Sequence, residues 1–188
     1  FFPKIEETIN FKKNKLNLKY INNKILLSGS GKIKIEKEYE KINYFFSKNK
    51  NNLIYDVNLN LKHPHFKIDQ LNYKKKKDSN LKLKVKGNYF SKDIILSYFS
   101  LLENKNKIEI NDLVLNEKNQ FVQLDSAYLN YVDTGNKKNK FLIQKIKKNI
   151  YKFGGSSLNA NSLINELIIN ENKKNNKIFK NDINLIID

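Results

Sequence analysis

Apolar and polar residues alternate one for one along much of this chain, and that pattern constrains the fold more than anything else in it. Lys15-Leu16-Asn17-Leu18-Lys19-Tyr20, Lys32-Ile33-Lys34-Ile35-Glu36 and Leu81-Lys82-Leu83-Lys84-Val85-Lys86 are the clearest runs. Leu53, Tyr55, Val57, Leu59 and Leu61 alternate with Ile54, Asp56, Asn58, Asn60 and Lys62. Lys107-Ile108-Glu109-Ile110-Asn111 and Asp182-Ile183-Asn184-Leu185 repeat the pattern. Successive side chains of an extended strand point to opposite faces. A period of two therefore gathers the Leu, Ile and Val of each run on one face and the Lys and Asn on the other. Less regular strands are expected over residues 42–46, 66–73, 121–132 and 141–146.

Polar clusters separate the runs, at residues 48–52, 74–80, 133–140 and 170–176. Asn and Asp accept turn geometry and bond to nearby backbone, which makes these clusters hairpin loops. The expectation is roughly ten to twelve short strands in an all-β, antiparallel meander. One composition regime runs from residue 1 to residue 188, so the chain reads as a single segment with no internal boundary. One short helix is predicted over 158–169, where Ala160, Leu163, Ile164, Leu167 and Ile168 fall on one stripe. It follows a loop, Gly154-Gly155-Ser156-Ser157, and Ser156, Ser157 or Asn159 would cap it. Residues 91–103 fit a helix or a buried strand, and their β-branched and aromatic content favours the strand.

Composition closes off several classes. Cys is absent, so there is no disulfide and no thiolate metal site. No run of about 18 apolar residues occurs, so no helix of this stretch spans a bilayer. The chain opens Phe1-Phe2-Pro3 and stops at Asp188 just after Ile183, Leu185 and Ile187. Both ends are expected to be cuts through a longer polypeptide. The net charge is +17, and all 36 basic residues are Lys. AT-rich codon usage favours Lys, Asn and Ile, and it accounts for the lysine total more simply than a selected surface for nucleic acid or anionic headgroups. Guanine is read mostly by bidentate Arg, which the chain lacks. No nucleic-acid partner is expected, and a basic nucleic-acid-binding module stands as an alternative.

Motifs that invite a chemical reading fail on their own requirements. Ser28-Gly29-Ser30-Gly31-Lys32 is no phosphate loop, because Leu26 stands where the first Gly is needed and Ile33 where Ser or Thr must follow the Lys. A tight turn is expected there. His63-Pro64-His65 supplies two imidazoles, whereas zinc takes three or four ligands and Asp69 would have to join. A strand entry or edge position suits Pro64, and no metal or cofactor is expected. No nucleophile elbow or paired carboxylates occur, so the chain reads as non-enzymatic. The ten Tyr and twelve Phe mostly run in phase with Leu and Ile, so they belong to the apolar face before any base-stacking role.

An apolar face on so many strands must be covered. A second sheet would do it, giving a sandwich, and one short helix would not. Acyl chains would also do it, at about 0.8 kcal/mol per buried methylene. On that reading the lining is Leu16, Leu18, Ile33, Ile35, Tyr55, Val57, Leu59, Leu81, Leu83, Val85, Ile108 and Ile110.

Three stretches point to a family. The first is Leu71-Asn72-Tyr73-Lys74-Lys75-Lys76-Lys77 leading into the run from Leu81 to Gly87. The second is Glu103-Asn104-Lys105-Asn106-Lys107-Ile108-Glu109-Ile110 with Leu113-Val114-Leu115. The third is Tyr151-Lys152-Phe153-Gly154-Gly155-Ser156-Ser157-Leu158 into Leu163-Ile164. Their order of strand, turn and small helix resembles the bacterial AsmA-like family, especially its YhdP-type bridge-like lipid transport proteins. That family usually has Asp just before the helix, where this chain has Asn159. The resemblance implies an extended U-shaped (β-taco-like) sheet with an apolar concave face. It implies an inner-membrane-anchored parent whose groove crosses the periplasm and carries phospholipid between inner and outer membrane in outer membrane biogenesis. The partners so implied are phospholipid acyl chains and, through the parent protein, components of both membranes. A lipopolysaccharide-transport module of the jelly-roll type is the related alternative.

Overall fold

Short turns join the strands, and asparagine makes many of them possible. The computed structural model describes residues 10–161 and 183–187. Among these, the strands are β1 (Phe11–Ile21), β2 (Lys24–Ile35), β3 (Glu38–Lys48), β4 (Asn52–Leu61), β5 (Lys67–Ile68), β6 (Tyr73–Lys74) and β7 (Leu81–Phe90). They continue as β8 (Asp93–Glu103), β9 (Asn106–Leu115), β10 (Phe121–Gln123), β11 (Ser126–Val132), β12 (Lys138–Lys147), β13 (Ile150–Ser157) and β14 (Asn184–Ile187). Asn22 and Asn23 both take positive φ (50° and 59°), and so do Ser91 and Lys92. Two left-handed residues in a row match the twist of the flanking strands, so each pair closes a tight hairpin. Among the described residues, seven of the thirteen non-glycine positions with positive φ are Asn, a side chain that tolerates this region well.

The strands form one open sheet in the order β1-β2-β3-β4-β7-β8-β9-β11-β12-β13-β14, with β10 extending the sheet beside β9. Neighbours are antiparallel except β13 and β14, which run parallel. The chain is therefore the all-β meander that the alternation requires, and its sheet is not closed into a barrel. Register carries one apolar row across all eleven strands. It runs Leu16, Gly29, Tyr44, Val57, Val85, Phe99, Ile110, Ala127, Ile143, Phe153 and Ile187, each opposite the next.

The buried core sits toward one end of the strands, under the connection from β4 to β7. This connection holds β5, a 3-10 turn (Asp69–Leu71) and β6, which pairs with β5. Its Phe66, Ile68, Leu71 and Tyr73 pack on Leu61, Leu81, Leu83, Leu101, Ile108, Leu129 and Tyr131.

Several local expectations need correction. Ser28-Gly29-Ser30-Gly31-Lys32 is no turn but the middle of β2. Its glycines answer a demand for space, since a Cβ on Gly29 would meet the Tyr44 ring. Gly154-Gly155-Ser156-Ser157 likewise closes β13 rather than forming a loop. A Cβ on Gly155 would meet the carbonyl of Lys140 on the next strand. Residues 66–73 break into β5, turn and β6, and 121–132 breaks into β10 and β11 around Leu124 and Asp125. Residues 91–103 do form a strand, β8. The helix expected over 158–169 lies, beyond residue 161, outside the described residues. The loop at 170–176 and Asp182 also lie outside them.

The edge strand β1 is blunted. Its register shifts between Lys12 and Lys15, with Lys13 at φ 49°, and lysines line it. Bulges and charges of this kind discourage pairing with another chain.

Gly87 offers a test of close backbone approach. It sits at a register shift between β7 and β8, where an added Cβ would meet the Ile95 carbonyl and lie 2.8 Å from Tyr55 Oη. Gly154 has nothing within 4 Å of such a Cβ. Gly87→Ala should cost about 1–3 kcal/mol in urea unfolding, and Gly154→Ala should stay within about 0.5 kcal/mol.

Candidate functional site

All twelve residues singled out from the alternation lie on one face of the sheet, the face of the row above. Their surroundings differ. Leu81, Leu83 and Ile108 are buried beneath the β4–β7 connection and have no free surface to offer. Ile33, Ile35, Tyr55, Val57, Leu59, Val85 and Ile110 are half-buried. Leu16 and Leu18, on the edge strand, are 60% and 63% exposed. A second row, Leu18, Leu27, Phe46, Tyr55, Gly87, Leu96 and Leu113, runs parallel to the first. Its Leu27, Phe46, Leu96 and Leu113 escape an alternation search because β2, β3, β8 and β9 carry irregular stretches there. Counting register outward from the tight turns would have found them.

No second large sheet covers this face among the described residues. The β4–β7 connection covers one flank of it, and buried polar groups fasten that cover. Glu40 accepts from the backbone N–H of Lys62 (3.0 Å) and of His63 (2.8 Å), and His63 Nδ1 lies 3.1 Å away. Glu103, fully buried, accepts from Tyr73 Oη (2.7 Å), the Lys76 N–H (2.7 Å), Asn106 Nδ2 (3.2 Å) and the Ser79 hydroxyl. The Tyr131 hydroxyl donates to the Leu71 carbonyl at 2.8 Å, and its ring meets Tyr73 edge-on. Lys75, also buried, donates its ammonium to the carbonyls of Lys62 (2.6 Å) and Lys76 (3.2 Å). Farther along the same flank, Asp133 and Asn139 receive Asn159 through its side chain and backbone, each at 2.6 Å.

Burial by itself would raise the carboxyl pKa values of Glu40, Glu103 and Asp133. The hydrogen bonds they accept outweigh it and hold all three below the usual carboxylate range. Burial pushes the Tyr73 hydroxyl well above its ordinary range, helped by the Glu103 carboxylate. Burial, and then Asp133, raises Tyr131 to about 12. These groups are saturated by partners that build the flank, so their chemistry is fastening. His63 and His65 belong to the loop that Glu40 anchors, and among the described residues no three His, Asp or Glu converge on one point.

Neither a known protein family, nor a curated protein, nor a solved structure matches this chain.

The Glu103 cluster predicts a pH dependence. A carboxyl whose folded pKa lies below its unfolded value stabilises the fold above the unfolded value, near 4.3, and loses that contribution as pH falls through the folded one. Glu103→Gln should cost about 1–3 kcal/mol at neutral pH. It should also flatten the loss of stability on acidification, leaving the part that Glu40 and Asp133 share. Urea midpoints for both proteins at pH 7 and at successively lower pH check this; parallel curves would contradict it.

Proposed function

We propose that this chain is a non-enzymatic, lipid-conducting segment whose apolar face holds phospholipid acyl chains. One observation carries the reading. One apolar row crosses the sheet from β1 to β14 and a second runs beside it from β1 to β9. Apart from the buried Tyr44 and Ala127, their large side chains away from the covered flank are half-buried or exposed, with no second large sheet over them among the described residues. Contiguous exposed apolar surface on this scale marks an interaction site. Acyl chains suit it because hydrophobic burial has no direction, so a lipid can slide along the rows without breaking specific bonds. The rows cross the strands, so movement would follow the strand order.

The covered flank supports the same reading. It closes one long side of the apolar face with backbone, lysine and buried carboxylate, leaving the remainder free for tails. The resemblance to the bridge-like proteins supplies the setting: a periplasmic groove in an inner-membrane-anchored parent, delivering phospholipid toward the outer membrane. A jelly-roll lipopolysaccharide module would divide its strands between two large sheets. The single main sheet favours the bridge reading over it.

The reading is tested by native mass spectrometry of the purified chain, which should retain phospholipid. Val85→Glu combined with Ile110→Glu places two charges in the half-exposed row and should abolish that retention while the β circular-dichroism signal persists. Leu83→Asp is unsuitable, because Leu83 is buried and its loss disrupts the core. Chain that is monodisperse without lipid, and that takes up no fluorescent phospholipid, would overturn the proposal.

A further inference from the structure

We propose that the opposite, polar face of the sheet is a docking track for a linear phosphate polyanion, held by charge alone. Register places Lys12, Lys32, Lys41, Asn60, Lys82, Leu102, Lys107, Asn130 and Lys140 in one row crossing nine strands from β1 to β12. The adjacent row, from Lys15 through Ser30, Asn43, Asn58, Lys84, Ser100, Glu109 and Tyr128 to Leu142, holds two lysines against six. Codon usage sets how many lysines a chain has; it does not line them up in register.

The row is also uncompensated. Lys107 pairs with Glu109 at 2.8 Å, and the other five have no carboxylate partner among the described residues. Lys12, Lys32 and Lys41 lie directly opposite one another on successive strands, an arrangement that destabilises a sheet unless anions sit between.

The form of the row selects the partner. With strands about 4.8 Å apart, its eight steps span about 38 Å. Strands turn by about 20° at each step, so the lysines at the two ends point some 160° apart. A flat bilayer meets only part of such a row, whereas a flexible chain can follow it. The rings nearest the row are already occupied. Lys12 lies over Tyr39 (5.6 Å), Lys84 over Tyr98 (6.0 Å) and Lys107 over Tyr128 (5.8 Å). Lysines thus already face these rings, and lysine is a point charge without Arg's bidentate fork. A polyanion lacking bases fits best. This inference concerns the face opposite the groove, so it stands or falls separately from lipid binding.

Long-chain inorganic polyphosphate is the probe, titrated into the whole chain at several salt concentrations. By analogy with single-stranded nucleic acid, six contacts give a slope of about −4 in log affinity against log salt. Lys→Glu at Lys32, Lys41, Lys82 and Lys140 should weaken binding by roughly tenfold or more, and Lys→Gln at the same positions by less. A control with equal charge change, Lys→Glu at Lys24, Lys50, Lys118 and Lys148, should stay within about threefold of the starting affinity. Equal losses in row and control variants would mean diffuse attraction and overturn the proposal. So would absence of binding, tighter binding to single-stranded DNA of equal charge, or tighter binding to anionic phospholipid vesicles.

Discussion

Backbone register is the constraint on which the rest of this structure depends. Side chains alternate between faces with a period of two, so a slip of one residue in one strand would carry its leucines into the lysine face and its lysines into the apolar one. Such a slip is costliest where the alternation is strict, as from Leu81 to Lys86 in β7. Tight turns hold the register locally: Asn22-Asn23 between β1 and β2, and Ser91-Lys92 between β7 and β8. Where register does shift, the deviation is local. Between Lys86 and Gly87 an extra residue enters the pairing, and the Tyr55 hydroxyl reaches the Ile95 carbonyl over the glycine. A bulge beside a glycine with an aromatic ring laid over it keeps the row closed where a larger side chain would push the strands apart.

The covered flank shows how a single sheet can be both folded and open. Leu81, Leu101 and Ile108 are fully buried although no second large sheet lies above them among the described residues. Their cover is a connection of mostly polar sequence, whose backbone N–H groups would be orphaned against an apolar face. Glu40 and Glu103 solve that problem from within the sheet. Each stands on the apolar side at the end of a strand, and each accepts backbone N–H groups from the connection: Glu40 at its start, Glu103 near its end. A buried carboxylate is costly when alone and tolerable when several donors converge on it. Here all the donors but Asn106 belong to one segment, so the carboxylates act as two clamps on it.

This division explains what was legible in the sequence. The two faces were, because alternation is local and needs no partner: all twelve residues picked out from it fall on one side. The meander was as well, since polar clusters separate the runs at the spacing hairpins require. Two glycine-serine stretches misled, because glycine marks both turns and places where another chain comes close, and only the neighbouring strand tells them apart. Gly29 is defined by Tyr44, fifteen residues away, and Gly155 by Lys140 and Phe141. The clamps were invisible for the same reason. Glu103 looked like one of many scattered acids, and its four donors come from residues 73, 76, 79 and 106.

The two faces also constrain one another. An open sheet with an apolar side is at risk of stacking on a second copy, and an exposed edge strand is at risk of adding another strand. A densely lysine-bearing opposite face works against both, since approaching copies repel at any separation within the screening length, about 10 Å at moderate salt. The same charges that keep copies apart raise the local concentration of anions along the outer face. Among the described residues, register sets most of the lysines of the long strands on the face opposite the apolar rows.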